Sequence, residues 1–169
     1  EGRIYFGKDG NSQPNVIRYL SEVEGFVPWT WWPHDEVGHT DEAKKEIHAL
    51  FGKDDAFDTP KPERLIRRVL EIATNPGDLV LDSFAGTGTL GAVAHKMNRQ
   101  WIMVEMGEHC QTLINPRMQK VIDGDDPGGV TEDVGWSHGG GFRYCRLDEP
   151  LFDEHGQIRS DVNYPELAA

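Results

Sequence analysis

Cysteine is nearly absent: the chain has two, Cys110 and Cys145, in 169 residues. Neither has a second cysteine at metal-binding spacing, so a cysteine zinc site is excluded and free thiols in a reducing cytosol are expected. Long apolar runs are missing too. None approaches the roughly 18 consecutive apolar residues of a membrane helix, and the N-terminus is not a signal peptide. A soluble, cytoplasmic protein with no membrane partner is expected. Positive charge is scarce, with 17 Lys/Arg against 29 Asp/Glu and a net charge of -12. A charge of that sign and size repels phosphate backbones, so this chain alone is expected to bind DNA poorly. Internal repeats are absent. Apolar content is low at 37% and mean hydropathy is -0.57, yet the length suffices for one domain with a core.

What is present is concentrated in the middle. Residues 59–120 hold eight Lys/Arg against six Asp/Glu, whereas residues 1–58 hold six against twelve and residues 121–169 three against eleven. The middle also carries the buried-strand signals. Leu79-Val80-Leu81 is an apolar run with the acidic Asp82 at its end, bounded by turn residues, which suits a strand buried on both faces. Gly86-x-Gly88-x-x-Gly91 follows, and a helix is expected from Thr89. Glycine serves where backbone turns sharply or where a ligand lies against it, and the N–H groups at a helix start face such a ligand. A second apolar run, Trp101-Ile102-Met103-Val104, closes with Glu105, placed to accept hydrogen bonds from ribose hydroxyls. Strand, glycine loop, helix, strand and acidic end together read as a nucleoside-binding βαβ unit. The pattern leaves open which adenosine-bearing ligand is bound: NAD, FAD or S-adenosyl-L-methionine.

On the N-terminal side, Arg3-Ile4-Tyr5-Phe6 suggests a short strand before a Gly/Asn/Pro loop, and Val16–Leu20 suits strand or helical turn equally. Trp29, Trp31 and Trp32 stand together between Pro28 and Pro33, as the wall of a cavity or interface or as a plug under a loop. His34 and His39 fit no metal-ligand spacing. Thr40 is the expected N-cap of an amphipathic helix through Phe51, with Ala43, Ile47, Leu50 and Phe51 on its apolar face and Gly52 after its end. An acidic loop occupies residues 52–58. Thr59-Pro60-Lys61-Pro62 starts a helix to about Thr74, whose apolar face is Leu65, Ile66, Val69, Leu70 and Ala73. Beyond Glu105, a helix from Gly107 to about Ile122 contains Pro116, which is expected to kink it. Gly139-Gly140-Gly141 reads as linkage before a strand over Phe142–Leu147, and residues 148–169 read as an acidic extended tail. The expected layout is an N-terminal region (1–58), a cofactor-binding core (59–123), a C-terminal strand region (124–147) and the tail (148–169).

Thr59-x-Lys61-Pro62 followed by Asp82-Ser83-Phe84-x-Gly86-x-Gly88-Thr89 resembles the amino-group DNA methyltransferases. The stretch from Trp29 to Phe57 is similar to the modification (Mod) subunits of type III restriction–modification systems and their adenine-specific relatives. The resemblance covers most of residues 1–147. It implies an α/β, Rossmann-like methyltransferase fold with a partial sheet, and S-adenosyl-L-methionine as cofactor. It implies further that Gly86 and Gly88 let the backbone approach the methionyl part, and that Phe84 packs against the cofactor. Asp82, with Ser83 beside it, would anchor the loop near the amino group, and Glu105 would accept the ribose hydroxyls. Thr59, Lys61 and Pro62 would border the carboxylate end, with Thr89 opening the helix. Gly91 completes a dinucleotide-like pattern that keeps an NAD- or FAD-binding oxidoreductase module as an alternative, and a domain kept for interaction with an inert site is a further one.

The D/N/S-P-P-Y/F segment that such enzymes use to hold the target amino group does not occur. Asp125-Asp126-Pro127-Gly128 lacks the second proline and the aromatic. By this resemblance the catalytic segment would lie upstream of Glu1, and no catalytic residue is assigned. The implied partners are DNA, through a longer enzyme, an upstream catalytic and target-recognition region, and a restriction subunit or second copy. Adenine N6 is the implied target, with cytosine N4 not separated from it.

Overall fold

In the computed structural model, residues 2–22, 25, 27–52, 59–147 and 149–160 are described. Two short strands, Ile4–Tyr5 (β1) and Asn15–Val16 (β2), pair antiparallel with Ile4 opposite Val16. The ambiguous Val16–Leu20 stretch divides accordingly: strand up to Val16, then a 3-10 turn at Leu20–Glu22. Next come the helices His34–Val37 (α1), Thr40–Phe51 (α2) and Glu63–Ala73 (α3). Helix α2 begins one residue earlier than the sequence suggests. Its cap is His39 in extended backbone, whose Nδ1 accepts the Glu42 N–H at 3.4 Å, so Thr40 is the first helical residue. Of the acidic loop, residues 53–58 lie outside the described residues.

The centre is a βαβ unit, Leu79–Asp82 (β3), Thr89–Lys96 (α4) and Gln100–Met103 (β4), with the strands parallel and Leu81 opposite Ile102. Helix α4 is its hub. Gly91, Ala92, Val93 and Ala94 are all buried, because small side chains admit neighbours on every side, and Lys96 is buried with them against carboxylate partners. Ala92 packs with Ile114, Met118 and Val121, whereas Val93 and Ala94 pack with Leu70 and Val130. Gly91 faces β4 so closely that a Cβ there would overlap the Met103 thioether. Val80, Trp101 and Met103 supply the sheet side of these contacts.

Three expectations fail. Strand β3 is not buried on both faces: Leu79 and Leu81 are 61% and 63% exposed, beside the half-exposed Ile102. Helix α4 covers one face of the two-stranded sheet, and among the described residues nothing covers the other. Likewise Val69 and Ala73 lie exposed on α3, while Leu70 alone of its expected apolar face is fully buried. The third is the strand over Phe142–Leu147. Its backbone joins no ladder; Phe142 instead packs its ring on Trp101, centroids 5.9 Å apart, and a strand needs a neighbouring edge that is not offered here.

The last helix is also reshaped. A π-helical turn, Cys110–Ile114, precedes Asn115–Asp123 (α5), with Pro116 in the first turn of α5. Proline has no N–H and crowds the carbonyl four residues back, so the turn before it widens. Residues 124–135 fold back as turns that bury Asp126 and Val130. Part of the acidic tail is folded: Phe152 and Ile158 form an antiparallel bridge, while Asp148 and residues 161–169 lie outside the described residues. Among the described residues, no helix is long and apolar enough to cross a membrane.

Candidate cofactor cavity

A cavity of about 280 Å³ opens where the start of α3 meets the loop after β3. It is lined by Thr59, Lys61, Ile66, Asp82, Phe84, Ala85, Gly86, Thr87, Thr89 and Leu90. Two segments, residues 59–66 and 82–90, thus converge. The first is held by α1 and α2. Pro62 caps α3 in extended backbone and packs against Gly38, whose φ of +82° places a would-be Cβ 2.8 Å from the proline ring. In the first turn of α3, Arg64 grips Glu42 with two hydrogen bonds of 2.7 Å and also donates to the Asp35 and Glu36 carbonyls. This clamp fixes the segment in which Lys61 stands, its Nζ donating to the Thr59 carbonyl at 3.2 Å.

The second segment is the glycine loop. The Val104 N–H donates to the Asp82 carbonyl at 2.8 Å and the Ala85 N–H to the Val104 carbonyl at 3.0 Å, so the parallel pairing carries on into the loop. The Asp82 carboxylate accepts the Phe84 N–H at 3.1 Å, which turns the chain and leaves the Phe84 ring 89% exposed at the cavity mouth. Glu105 holds the loop from β4, accepting the Gly86 N–H at 2.9 Å and the Gly107 N–H at 3.0 Å. The Gly107 N–H, then that of Gly86, keep its carboxyl below the usual carboxylate range in spite of partial burial.

Of the residues singled out from sequence, Thr59, Lys61, Asp82, Phe84, Gly86 and Thr89 are brought together around the cavity. Pro62, Ser83, Gly88 and Glu105 stand outside its lining. Pro62 is buried behind Lys61, Ser83 is exposed, and Glu105 acts on the loop backbone. Gly88 faces away: at φ +73° it caps α4, and a Cβ there would lie 3.0 Å from Ile114. Trp29 and Trp31, 82% and 78% exposed, lie outside the cavity as well, which excludes them as a plug.

Sequence reasoning missed the charged network beneath the loop. Glu63, Lys96, Arg117 and Asp126 are 1–4% exposed. The Lys96 ammonium donates to both Glu63 oxygens at 2.9 and 2.8 Å and lies 2.7 Å from Asp126. Arg117 donates to Glu63 at 2.9 Å, to the Thr87 carbonyl at 3.1 Å and to the Thr89 hydroxyl at 3.0 Å. Burial raises the Glu63 carboxyl, but the Arg117 and Lys96 charges outweigh it and hold that carboxyl below the usual range. Two cations and two carboxylates cancel, which is what lets them stay dry. One signal was available: Lys96, two residues after Gly91-Ala92-Val93-Ala94 in a helix apolar enough to be enclosed, needs a buried partner.

The sequence profile of the DNA methylase family matches residues 7–116. The chain is 49% identical over 135 residues to the probable type III restriction-modification enzyme HindVI Mod subunit of Haemophilus influenzae, covering 80% of this chain and 16% of that protein. It is 38% identical over 97 residues to the StyLTI Mod subunit of Salmonella typhimurium, covering 57% and 14%. It is 50% identical over 60 residues to the DNA adenine methyltransferase YhdJ of Escherichia coli, covering 36% and 20%. The chain thus matches only a fifth or less of the length of each of these three relatives.

Proposed function

The chain belongs to the DNA methylase family, and from that premise we propose that it is the S-adenosyl-L-methionine-binding part of an adenine-N6 DNA methyltransferase of the type III Mod kind. One observation carries this reading: six residues of the two motif segments line one cavity of about 280 Å³. The cavity suits that cofactor chemically. Asp82 offers a carboxylate toward an amino group, Lys61 an ammonium toward a carboxylate, and Phe84 an exposed ring against a purine or thioether. Glu105, outside the cavity lining, fixes the loop through the Gly86 and Gly107 N–H groups, and its remaining lone pairs are the proposed acceptors for ribose hydroxyls. When bound, the cofactor supplies an electrophilic methyl group. The chain's own residues orient it and keep the loop from shifting.

The base-holding half of the chemistry belongs to another region. Methylating an exocyclic amine requires the base to be flipped from the stack and held at near-attack distance. No D/N/S-P-P-Y/F segment occurs, and a charge of -12 offers no general surface for phosphates. DNA, an upstream catalytic and recognition region, and a restriction subunit or second copy are therefore the proposed partners. The oxidoreductase alternative falls with the family assignment.

Isothermal titration with S-adenosyl-L-methionine, S-adenosylhomocysteine and NAD tests the cofactor reading. Heat from the first two and none from NAD is expected, and heat from NAD alone would overturn the reading. Tritiated methyl transfer to unmethylated genomic DNA tests the division of labour. No incorporation above a boiled control is expected from this chain alone, and incorporation would place the base-holding residues within it.

A further inference from the structure

We infer that Arg117 is a positioning residue for this cavity: it polarises the Thr89–Thr87 hydroxyl pair so that Thr87 presents its O–H to an oxygen acceptor on the ligand's amino-acid end. The inference rests on the cofactor reading above and goes beyond it by giving roles to Arg117, which lies outside the motif segments, and to Thr87, which the motif reading left unassigned.

The geometry starts at Glu63. Its Oε1 accepts from Arg117 Nη2 at 2.9 Å, which fixes the guanidinium in the interior. The other arm, Nη1, then donates to the Thr87 carbonyl at 3.1 Å and to the Thr89 hydroxyl at 3.0 Å. A guanidinium has no acceptor, so the direction of both bonds is fixed. The Thr89 and Thr87 hydroxyl oxygens are 2.9 Å apart, and geometry alone allows either to donate. Chemistry decides between them. A hydroxyl that accepts from a cation becomes a stronger donor, so Thr89 donates and Thr87 accepts. The Thr87 hydrogen is then left for another acceptor, and among the described residues its hydroxyl meets no partner besides Thr89. Both threonines are buried, and both line the cavity with Lys61. A carboxylate placed there would accept from Thr87 as well as from Lys61. Arg117 is not among the residues that line the cavity, and it acts only through the threonines.

The test compares two probes by isothermal titration. S-adenosylhomocysteine carries the amino-acid end, whereas 5′-methylthioadenosine has the same nucleoside and sulfur without it. Thr87→Val should lose about tenfold in affinity for the first and none for the second, and Thr87→Ser should restore it. Thr89→Val should produce a smaller loss with the same ligand selectivity, and the double variant should bind no worse than Thr87→Val alone. Arg117→Lys should reproduce the selective loss; if it does not fold, the threonine comparison decides. Equal losses for both probes, or an additive double variant, would overturn the relay. A wild-type chain that takes neither probe would instead overturn the cofactor reading, and the relay with it.

Discussion

Glu63, the first residue of α3, and Lys96, the last of α4, meet through hydrogen bonds of 2.9 and 2.8 Å with side chains 1% and 0% exposed. They stand 33 residues apart in sequence. Replacing one member of such a pair leaves the other charged and dry. Lys96→Met should therefore destabilise by about 3–5 kcal/mol, read as a lower urea midpoint. A loss under about 1 kcal/mol would mean that water reaches Glu63 and Asp126.

Glu46 accepts the Glu63 N–H at 3.2 Å. Burial, and then the nearby Glu63 charge, push its carboxyl up to about 7 from 4.5. The folded chain thus holds this proton more tightly than the unfolded chain does. Stability should fall as pH rises from about 4.5 through 7, by about 3 kcal/mol in all. Glu46→Gln should remove that slope and leave the protein more stable than wild type at pH 8. Parallel urea titrations at pH 5 and pH 8 would show it; an unchanged slope in the variant would assign the pH dependence to another group.

Gly88→Val should unfold the loop region rather than merely block a ligand. The position needs φ +73°, and a Cβ would press on Ile114. Left-handed backbone and overpacking together predict a loss of about 2–4 kcal/mol. A variant with unaltered thermal unfolding would contradict this placement of the glycine.

Glu105→Ala should weaken S-adenosylhomocysteine binding by about ten- to hundred-fold, because it removes a charge-assisted acceptor and releases the Gly86 and Gly107 N–H groups. Calorimetry on the folded variant gives the ratio. Full affinity would exclude Glu105 from both ligand contact and loop support.

The βαβ unit was legible because its signals are local. Apolar runs, glycines and a terminal acid lie within 27 residues, and the observed strands differ from the expected ones by at most one residue. The convergence of Thr59 and Lys61 on Asp82, Phe84 and Gly86 was legible from the order of two motifs. What was hidden is long-range. Glu63 reads as an ordinary acidic first-turn residue and Lys96 as an ordinary last-turn cation, and only folding reveals that they face each other. His39 was hidden for another reason, since a ring nitrogen can cap a helix although threonine is the commoner cap. Phe142–Leu147 shows the converse error, in which a strand-like pattern has no edge to pair with.

Leu79, Leu81 and Ile102 are already in contact with water in the folded chain. Unfolding therefore exposes less fresh hydrocarbon here than in a sheet sealed on both sides. The heat-capacity increment should fall below the usual figure of about 12–15 cal/mol/K per residue, giving a flatter stability curve. Cooling should weaken such a protein less than its size suggests, and anything that seals that face should restore the missing heat capacity.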